Sequence, residues 1–295
     1  MSETLYRGMD RAEIDRQLNL RARWPEHEAF FARWAEESAR VRGRVGGHLD
    51  LAYGDTPSQT LDLFLPEATG GAVPLLAFIH GGYWQSLDKG DFSYLAPPFL
   101  DQGIAFASLN YTLAPQASVA EMAGEMRRAF LWLVRGAGDY GVDPGRIFVA
   151  GHSAGGQLAA MTAATDWQTL GPDAPAFDPV KGACSVSGVY DLEPLRLSYH
   201  QDVLGLDPDE AVAMSPLRVI PKRAGPLICA VGSEETDEFL YQQDAFVAAW
   251  RAAGLEARVV ELPGRQHFSA VDALGEPDHP LFQAVRDLVL GENRS

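Results

Sequence analysis

The stretch Val149-Ala150-Gly151-His152-Ser153-Ala154-Gly155-Gly156 decides the fold of this 295-residue chain. It follows an apolar run, 146–150, typical of a buried strand, and precedes an Ala- and Leu-rich run, 157–165, typical of a helix. A strand, then G-x-S-x-G, then a helix is the context in which a tight turn lifts a serine hydroxyl clear of a sheet. Gly151 and Gly155 are needed because strand and helix approach too closely there for side chains. The stretch predicts Ser153 as a nucleophile, and on its own it leaves open a strand–helix turn without chemistry.

The composition describes an ordinary globular chain with enough apolar residues for a large core. Its net charge of −16 argues against nucleic acids and anionic membranes as partners, so an anion would need a local Arg or Lys. Residues 1–10 do not resemble a signal peptide, and no apolar run reaches the ~20 residues of a membrane helix. We therefore expect a cytoplasmic protein.

Motifs for metals and cofactors are missing from the sequence. Cys184 and Cys229 fall in predicted core strands and are expected to be buried free thiols, not a disulfide or a metal site. The 151–156 glycines lack the Lys-Ser/Thr of a phosphate loop and the spacing of a dinucleotide fingerprint. We expect no metal and no cofactor.

Strands and helices alternate along the chain, which predicts an α/β fold with a mostly parallel central sheet covered by helices on both faces. The first two strands alternate apolar and polar residues, as a partly exposed antiparallel pair would. Helices are predicted at 122–134, 157–165, 238–253 and 281–290, and strands at 48–53, 60–65, 75–79, 104–109, 146–150, 182–186, 227–231 and 257–261.

Two segments flank or interrupt this alternation, and we assign both to a single domain, 1–295. Residues 10–20 and 25–42 read as an N-terminal helical hairpin within 1–45, broken at Trp24-Pro25. It either packs on the body of the protein or also roofs the active site. Residues 191–223 contain no strand pattern and are predicted to be a small inserted cap of short helices.

A serine nucleophile needs a base within hydrogen-bond reach, and the base needs a carboxylate to hold its tautomer. His267 is the histidine placed correctly, shortly after the predicted strand 257–261. His279 is the rival, but it directly precedes the last predicted helix. For the acid, Glu235 is the candidate because it comes three residues after Gly232, the glycine that directly follows the predicted strand 227–231. The alternatives are Glu234, Asp191 and Asp237, the last of which resembles the N-cap of the next helix.

Acyl transfer also needs N–H groups aimed at the oxygen that becomes negative. The sequence His80-Gly81-Gly82-Tyr83-Trp84 follows an apolar strand, where an H-G-G-type oxyanion loop is expected. The predicted donors are the backbone N–H groups of Gly82, Tyr83 and Ala154. A Gly-Gly turn without this role is the alternative.

Three motifs resemble one known family. His80–Trp84 matches the H-G-G-x-W motif of the kynurenine formamidase (arylformamidase) branch of the α/β hydrolases. This branch is near the hormone-sensitive-lipase-like esterases, which usually have a third glycine where this chain has Tyr83. Segment 110–115 looks like the Y-x-L-A-P segment of that group, and 187–195 is similar to the formamidase branch. The resemblance runs from about residue 53 to the C-terminus, and the N-terminal helices look like those of bacterial members.

This resemblance implies an α/β-hydrolase fold and a Ser153–Glu235–His267 triad, with Glu235 replacing the aspartate common in animal members. It implies hydrolysis of an aromatic N-formyl amide such as N-formylkynurenine, in tryptophan catabolism, through a formyl-serine intermediate. A carboxylesterase or amidase of other small acyl compounds, or a non-catalytic binding protein, are the alternatives. We expect a small aromatic amide or ester as partner and allow for a homodimer. The candidate pocket residues are Trp84, Tyr111, Tyr190 and Phe268.

Overall fold

The strand that carries the G-x-S-x-G turn lies in the middle of an eight-stranded sheet in the computed structural model, which describes residues 4–67 and 70–292. In chain order the strands are β1 (Gly47–Ala52), β2 (Thr60–Phe64), β3 (Val73–Ile79), β4 (Ala105–Leu109), β5 (Val142–His152), β6 (Val180–Val186), β7 (Leu227–Gly232) and β8 (Ala257–Leu262). Their order across the sheet is β1-β2-β4-β3-β5-β6-β7-β8. The β1–β2 and β2–β4 pairs are antiparallel and the other pairs are parallel, which confirms the predicted sheet.

Helices cover both faces of this sheet, as predicted. Their bounds are α1 (Arg11–Leu18), α2 (Leu20–Arg23), α3 (His27–Arg44), α4 (Ala96–Leu100), α5 (Val119–Gly136), α6 (Ala154–Ala163), α7 (Glu193–Arg196), α8 (Gln201–Leu204), α9 (Pro208–Ala213), α10 (Asp237–Ala252), α11 (His267–Ala270) and α12 (Pro280–Leu290). Because helices lie on both sides, every residue of β3 and β4 is buried, which explains their continuous apolar sequences. Between residues 4–67 and 70–292, no helix combines the length and apolar character needed to cross a membrane.

The first two strands differ in exposure more than their alternating pattern predicts. β1 forms an exposed edge, but β2 is buried almost throughout, including its polar residue Asp62. Lys89 Nζ lies 2.8 Å from Asp62 Oδ1, and the Asp50 backbone N–H donates to the same oxygen at 2.9 Å. The charge is therefore buried with partners, which is the condition under which a carboxylate tolerates a core position.

The N-terminal segment forms three helices instead of the predicted two. Asn19 ends α1, and its side chain accepts a hydrogen bond from Ala22 N, so a short α2 starts before the break at Trp24-Pro25. α3 is anchored near the C-terminus of the chain because Trp34 Nε1 donates to Asp272 Oδ1 at 3.0 Å. Residues 1–3 of the predicted segment lie outside the described residues.

The region predicted as an inserted cap contains the short helices α7, α8 and α9 and a 3-10 turn at Pro216–Arg218. Its backbone returns to the body of the protein, where Leu217 N donates to Tyr190 O at 2.9 Å. Cys184 and Cys229 lie on the neighbouring strands β6 and β7, both buried and unbonded to each other, as the sequence predicts.

Candidate active site

Ser153 stands at the turn between β5 and α6. Its backbone has φ 57° and ψ −121°, a conformation that costs a non-glycine residue on the order of 1–3 kcal/mol and is typical of functional sites. A Cβ atom at Gly151 would lie 2.1 Å from Gly155 O, and one at Gly155 would lie 2.0 Å from Ile79 O. Neither position has room for a side chain, which explains why both residues are glycine.

Glu235 and His267 are joined by a buried hydrogen bond. His267 Nδ1 lies 2.7 Å from Glu235 Oε2, and both side chains are almost fully inaccessible to solvent. The other carboxylate oxygen, Oε1, accepts from Gly232 N at 3.1 Å and from the Ser187 hydroxyl. Because a carboxylate only accepts, Nδ1 carries the proton and Nε2 is left as the basic nitrogen. The rival His279 caps α12 through Nδ1, which accepts from the Leu281 backbone N–H.

The other candidate acids point elsewhere. Glu234 is exposed to solvent. Asp237 is also exposed and is the first residue of α10; the N-cap is Thr236, so the predicted capping role of Asp237 is wrong. Asp191 is buried, but its Oδ2 lies 2.8 Å from Arg218 Nη2. Glu235 is therefore the candidate acid that contacts His267.

The predicted oxyanion loop passes directly beside the serine. Gly82 and Tyr83 have φ values of 106° and 52°, so the backbone turns sharply after β3. A Cβ atom built at Gly81 would lie 3.0 Å from Ser153 Cβ, which shows how closely the loop approaches Ser153. Ala154, the third predicted donor, directly follows Ser153 and begins α6.

Tyr83 connects this loop to the N-terminal helices and to the inserted segment. Its hydroxyl donates to Leu18 O at 2.7 Å. Its ring stacks on the His200 ring with centroids 4.0 Å apart. Burial lowers the pKa of His200 to about 4, so this ring is neutral at physiological pH. Two segments distant in sequence therefore fix the position of Tyr83.

Ser153 and His267 line one small cavity. The part of it that the centre of a water molecule can reach is about 20 Å³, close to the volume needed for one water. The N-terminal helices form part of its wall through Arg21, Phe31 and Trp34. The lining residues are Arg21, Phe31, Trp34, Gly82, Tyr83, Leu87, His152, Ser153, His267 and Phe268.

Three of the four predicted pocket aromatics belong to the core instead. Trp84, Tyr111 and Tyr190 are fully buried and do not line the cavity. Each donates its polar hydrogen to a buried acceptor, at distances of 3.2, 3.0 and 2.8 Å respectively. The partners satisfy the polar end of each ring, which is what allows Trp and Tyr to sit in a core. Phe268 does line the cavity, as predicted.

Two further residues support the Glu235–His267 pair, and the sequence analysis did not identify them. Ser187 directly follows β6, and this position at the carboxyl end of a strand could have indicated that it lies near the site. His152 is the variable residue of G-x-S-x-G; its Nε2 lies 3.0 Å from His267 O, and burial keeps its pKa well below the usual value. A neutral ring must donate from Nε2 here, so His152 holds the His267 backbone in place.

Within residues 4–67 and 70–292, no group of three or more His, Cys, Asp or Glu side chains could hold a metal ion.

Residues 61–238, more than half of the chain, match the family model described as BD-FAE. The chain belongs to the BD-FAE family. The Salmo salar kynurenine formamidase is 28% identical to this BD-FAE member, over 95% of this chain and 97% of the relative. The Danio rerio kynurenine formamidase is 29% identical over 96% and 98%.

Solved structures agree with the fold. A Silicibacter sp. tm1040 protein with a provisional thioesterase name is 30% identical, with a TM-score of 0.79 over 92% of this chain and 98% of the other. Esterase B of Lactobacillus rhamnosis, 20% identical, shares the fold with a TM-score of 0.73 over 95% and 98%. This BD-FAE member is therefore an α/β hydrolase, and the resemblance to the kynurenine formamidase branch is confirmed. The relatives support a hydrolase of amide or ester bonds.

Proposed function

We propose that this protein is a serine hydrolase that cleaves aromatic N-formyl amides, of which N-formylkynurenine is the type. The observation that carries the proposal is the buried 2.7 Å Glu235–His267 hydrogen bond beside the cavity that Ser153 lines. The near full-length similarity to kynurenine formamidases supports the formyl amide as substrate.

The reaction runs in two halves. In the first, His267 Nε2 takes the Ser153 Oγ proton as Oγ attacks the formyl carbon, and the same proton passes to the departing aniline nitrogen as the C–N bond breaks. In the second, a water molecule gives a proton to Nε2 and attacks the formyl-serine ester; formic acid leaves and Ser153 regains its proton. Glu235 remains a carboxylate throughout and stabilises the imidazolium.

The tetrahedral oxyanion of each half needs hydrogen-bond donors that are already in place. The backbone N–H groups of Gly82, Tyr83 and Ala154 are the proposed donors, because the loop and the start of α6 flank Ser153. Preorganised donors of this kind each contribute about 10²–10³ to kcat in hydrolases. The bonds that hold Tyr83 keep this loop in position before substrate arrives.

Bulky side chains beside Ser153 favour a small acyl group. Tyr83 and Phe268 line the cavity together with Ser153. An acetyl group adds one methyl to a formyl group, and one methyl in a tight pocket changes kcat/KM by about 10- to 200-fold.

The test is a matched formyl, acetyl and propionyl series on one arylamine, with p-nitrophenyl esters beside it. Rates are corrected by the alkaline hydrolysis of each compound, because formyl groups are intrinsically more reactive. We expect formyl to exceed acetyl by at least tenfold after correction. Equal corrected rates would mean a general carboxylesterase, the second candidate, which the 30% identity to the Silicibacter protein with a thioesterase name favours.

Ser153→Ala tests the covalent mechanism and the non-catalytic alternative together. We expect a loss on the order of a millionfold in kcat with unchanged folding. A fluorophosphonate probe should label wild-type Ser153 and leave the variant unlabelled. An unlabelled wild type, or a variant that keeps a tenth of the activity, contradicts the proposal.

A further inference from the structure

One cation lines the catalytic cavity in a chain with a net charge of −16. Arg21 lies on α2, and among the described residues that line this cavity it is the only Lys or Arg. A strongly acidic protein repels anions at long range, so an anionic substrate group needs a local positive charge at the site. Arg21 is in the position to supply it.

The guanidinium of Arg21 is held in place without being neutralised. Its Nη2 donates to Ser86 Oγ at 2.6 Å, and its Cζ lies 5.5 Å from the centre of the Phe31 ring. Across residues 4–67 and 70–292, no carboxylate forms an ion pair with it. Asp15, on the preceding helix, instead accepts from Arg11 Nε at 3.2 Å and from Tyr199 N at 2.8 Å.

The remaining donors suit a carboxylate. A guanidinium has five N–H groups in a planar fork, and one of the five is used by Ser86, so enough remain for a two-point contact. Phe31 and Phe268 line the same cavity as Arg21 and Ser153 and offer an apolar surface to an aromatic ring. We propose that Arg21 is the binding site for an anionic substituent, a carboxylate above all, on the substrate that Ser153 attacks. This inference rests on the proposed function and assigns to Arg21 the recognition of an acidic group on its substrate.

The experiment compares acidic and neutral substrates that are otherwise identical. A series of aryl formamides carries an ortho side chain of zero to three methylenes that ends in a carboxylate or in the uncharged carboxamide. For wild type, we expect the carboxylate to be preferred in kcat/KM at the best chain length, mainly through KM, and to lose this preference as salt is raised. Arg21→Gln should lower the carboxylate-to-carboxamide ratio at least tenfold, and Arg21→Lys should give an intermediate ratio.

Arg23→Gln is the matched control, because Arg23 is on the same short helix, lies over the Trp24 ring at 5.1 Å and does not line the cavity. It should leave the ratio unchanged. If Arg21→Gln lowers kcat/KM for both substrates equally, Arg21 acts only by holding Ser86, and the proposal is overturned.

A binding measurement separates this inference from the proposed function. Calorimetric titration of wild type with the product amines, in their carboxylate and carboxamide forms, requires no turnover. Tighter binding of the carboxylate form that disappears in Arg21→Gln supports the anion site even if no aryl formamide is hydrolysed. Equal binding of the two forms by wild type, with aryl formamides hydrolysed normally, overturns the anion site and leaves the formamidase proposal standing.

Discussion

Replacing Glu235 by Gln should place the wrong tautomer on His267. Gly232 N–H and the Ser187 hydroxyl both donate to Oε1, and a backbone N–H can only donate, so an amide would direct its oxygen to that position. Its NH2 group would then face His267 Nδ1, which lies 2.7 Å from Oε2. Since two donors cannot face each other, the ring proton would move to Nε2, the atom that accepts the Ser153 proton in the proposed mechanism.

The size of the effect follows from this single displaced proton. The same tautomer error in a serine protease triad lowers kcat on the order of 10⁴-fold, or about 5 kcal/mol in the activation free energy. Because Gln has nearly the shape of Glu and keeps the two donors on Oε1 satisfied, the variant should fold normally. The loss should therefore appear in kcat and not in thermal stability.

Asp191→Asn is the control for this variant. Asp191 is a buried carboxylate that pairs with Arg218 at 2.8 Å and does not contact His267. We expect its substitution to cost about 1–3 kcal/mol of stability, because a buried hydrogen bond to a charged group is weakened, and to change kcat less than threefold. Initial rates on an aryl formamide and a p-nitrophenyl ester, with thermal unfolding of all three proteins, make the comparison. A larger kcat loss for Asp191→Asn than for Glu235→Gln would refute the acid assignment.

Three further outcomes can be checked on the same protein. Tyr83→Phe leaves Leu18 O without its donor, so it should lower the free energy of unfolding by about 1–3 kcal/mol in urea titrations and also lower kcat as the oxyanion loop loosens. Burial lowers the pKa of His200 from 6.5 to about 4, so the unfolded chain binds a proton at this residue before the folded chain does as the pH falls. Between pH 6.5 and 4, the free energy of unfolding should therefore fall by up to about 3 kcal/mol more in wild type than in His200→Gln. Burial raises the pKa of Cys229 to about 12 and raises that of Cys184 too, so iodoacetamide at pH 8 should alkylate them only after unfolding, as mass spectrometry would show.

The residues that could be predicted are those whose position depends on a nearby strand. Ser153, Glu235 and His267 each follow the carboxyl end of a parallel strand after a short turn, and such ends meet at one edge of a sheet. The local pattern of strand, turn and residue type is therefore enough to predict where these three residues lie. The same logic extends to Ser187, which also follows a strand directly.

The direction of side chains in tight turns could not be predicted in the same way. Trp84 and Tyr111 are close in sequence to the oxyanion loop and to the end of β4, yet both point into the core. Alternation along a strand assigns side chains to faces, but Tyr83 and Trp84 have positive φ, and that breaks the alternation. The burial of Asp62 could not be predicted from the local sequence either, because its partner Lys89 lies 27 residues later in the chain.

The N-terminal helices show how far a site can depend on residues outside its motifs. An amphipathic helix predicts that one face is buried, but not what it is buried against. Here that face supplies Phe31 and Trp34 to the cavity wall, and α1 ends at the carbonyl that holds Tyr83. The BD-FAE match begins at residue 61, whereas the match to kynurenine formamidases spans about 95% of the chain. The turn at Ser153 lies within the BD-FAE match and the N-terminal helices lie outside it, so these helices are the part of the chain where selection among substrates should be sought, with Arg21 as the first residue to test.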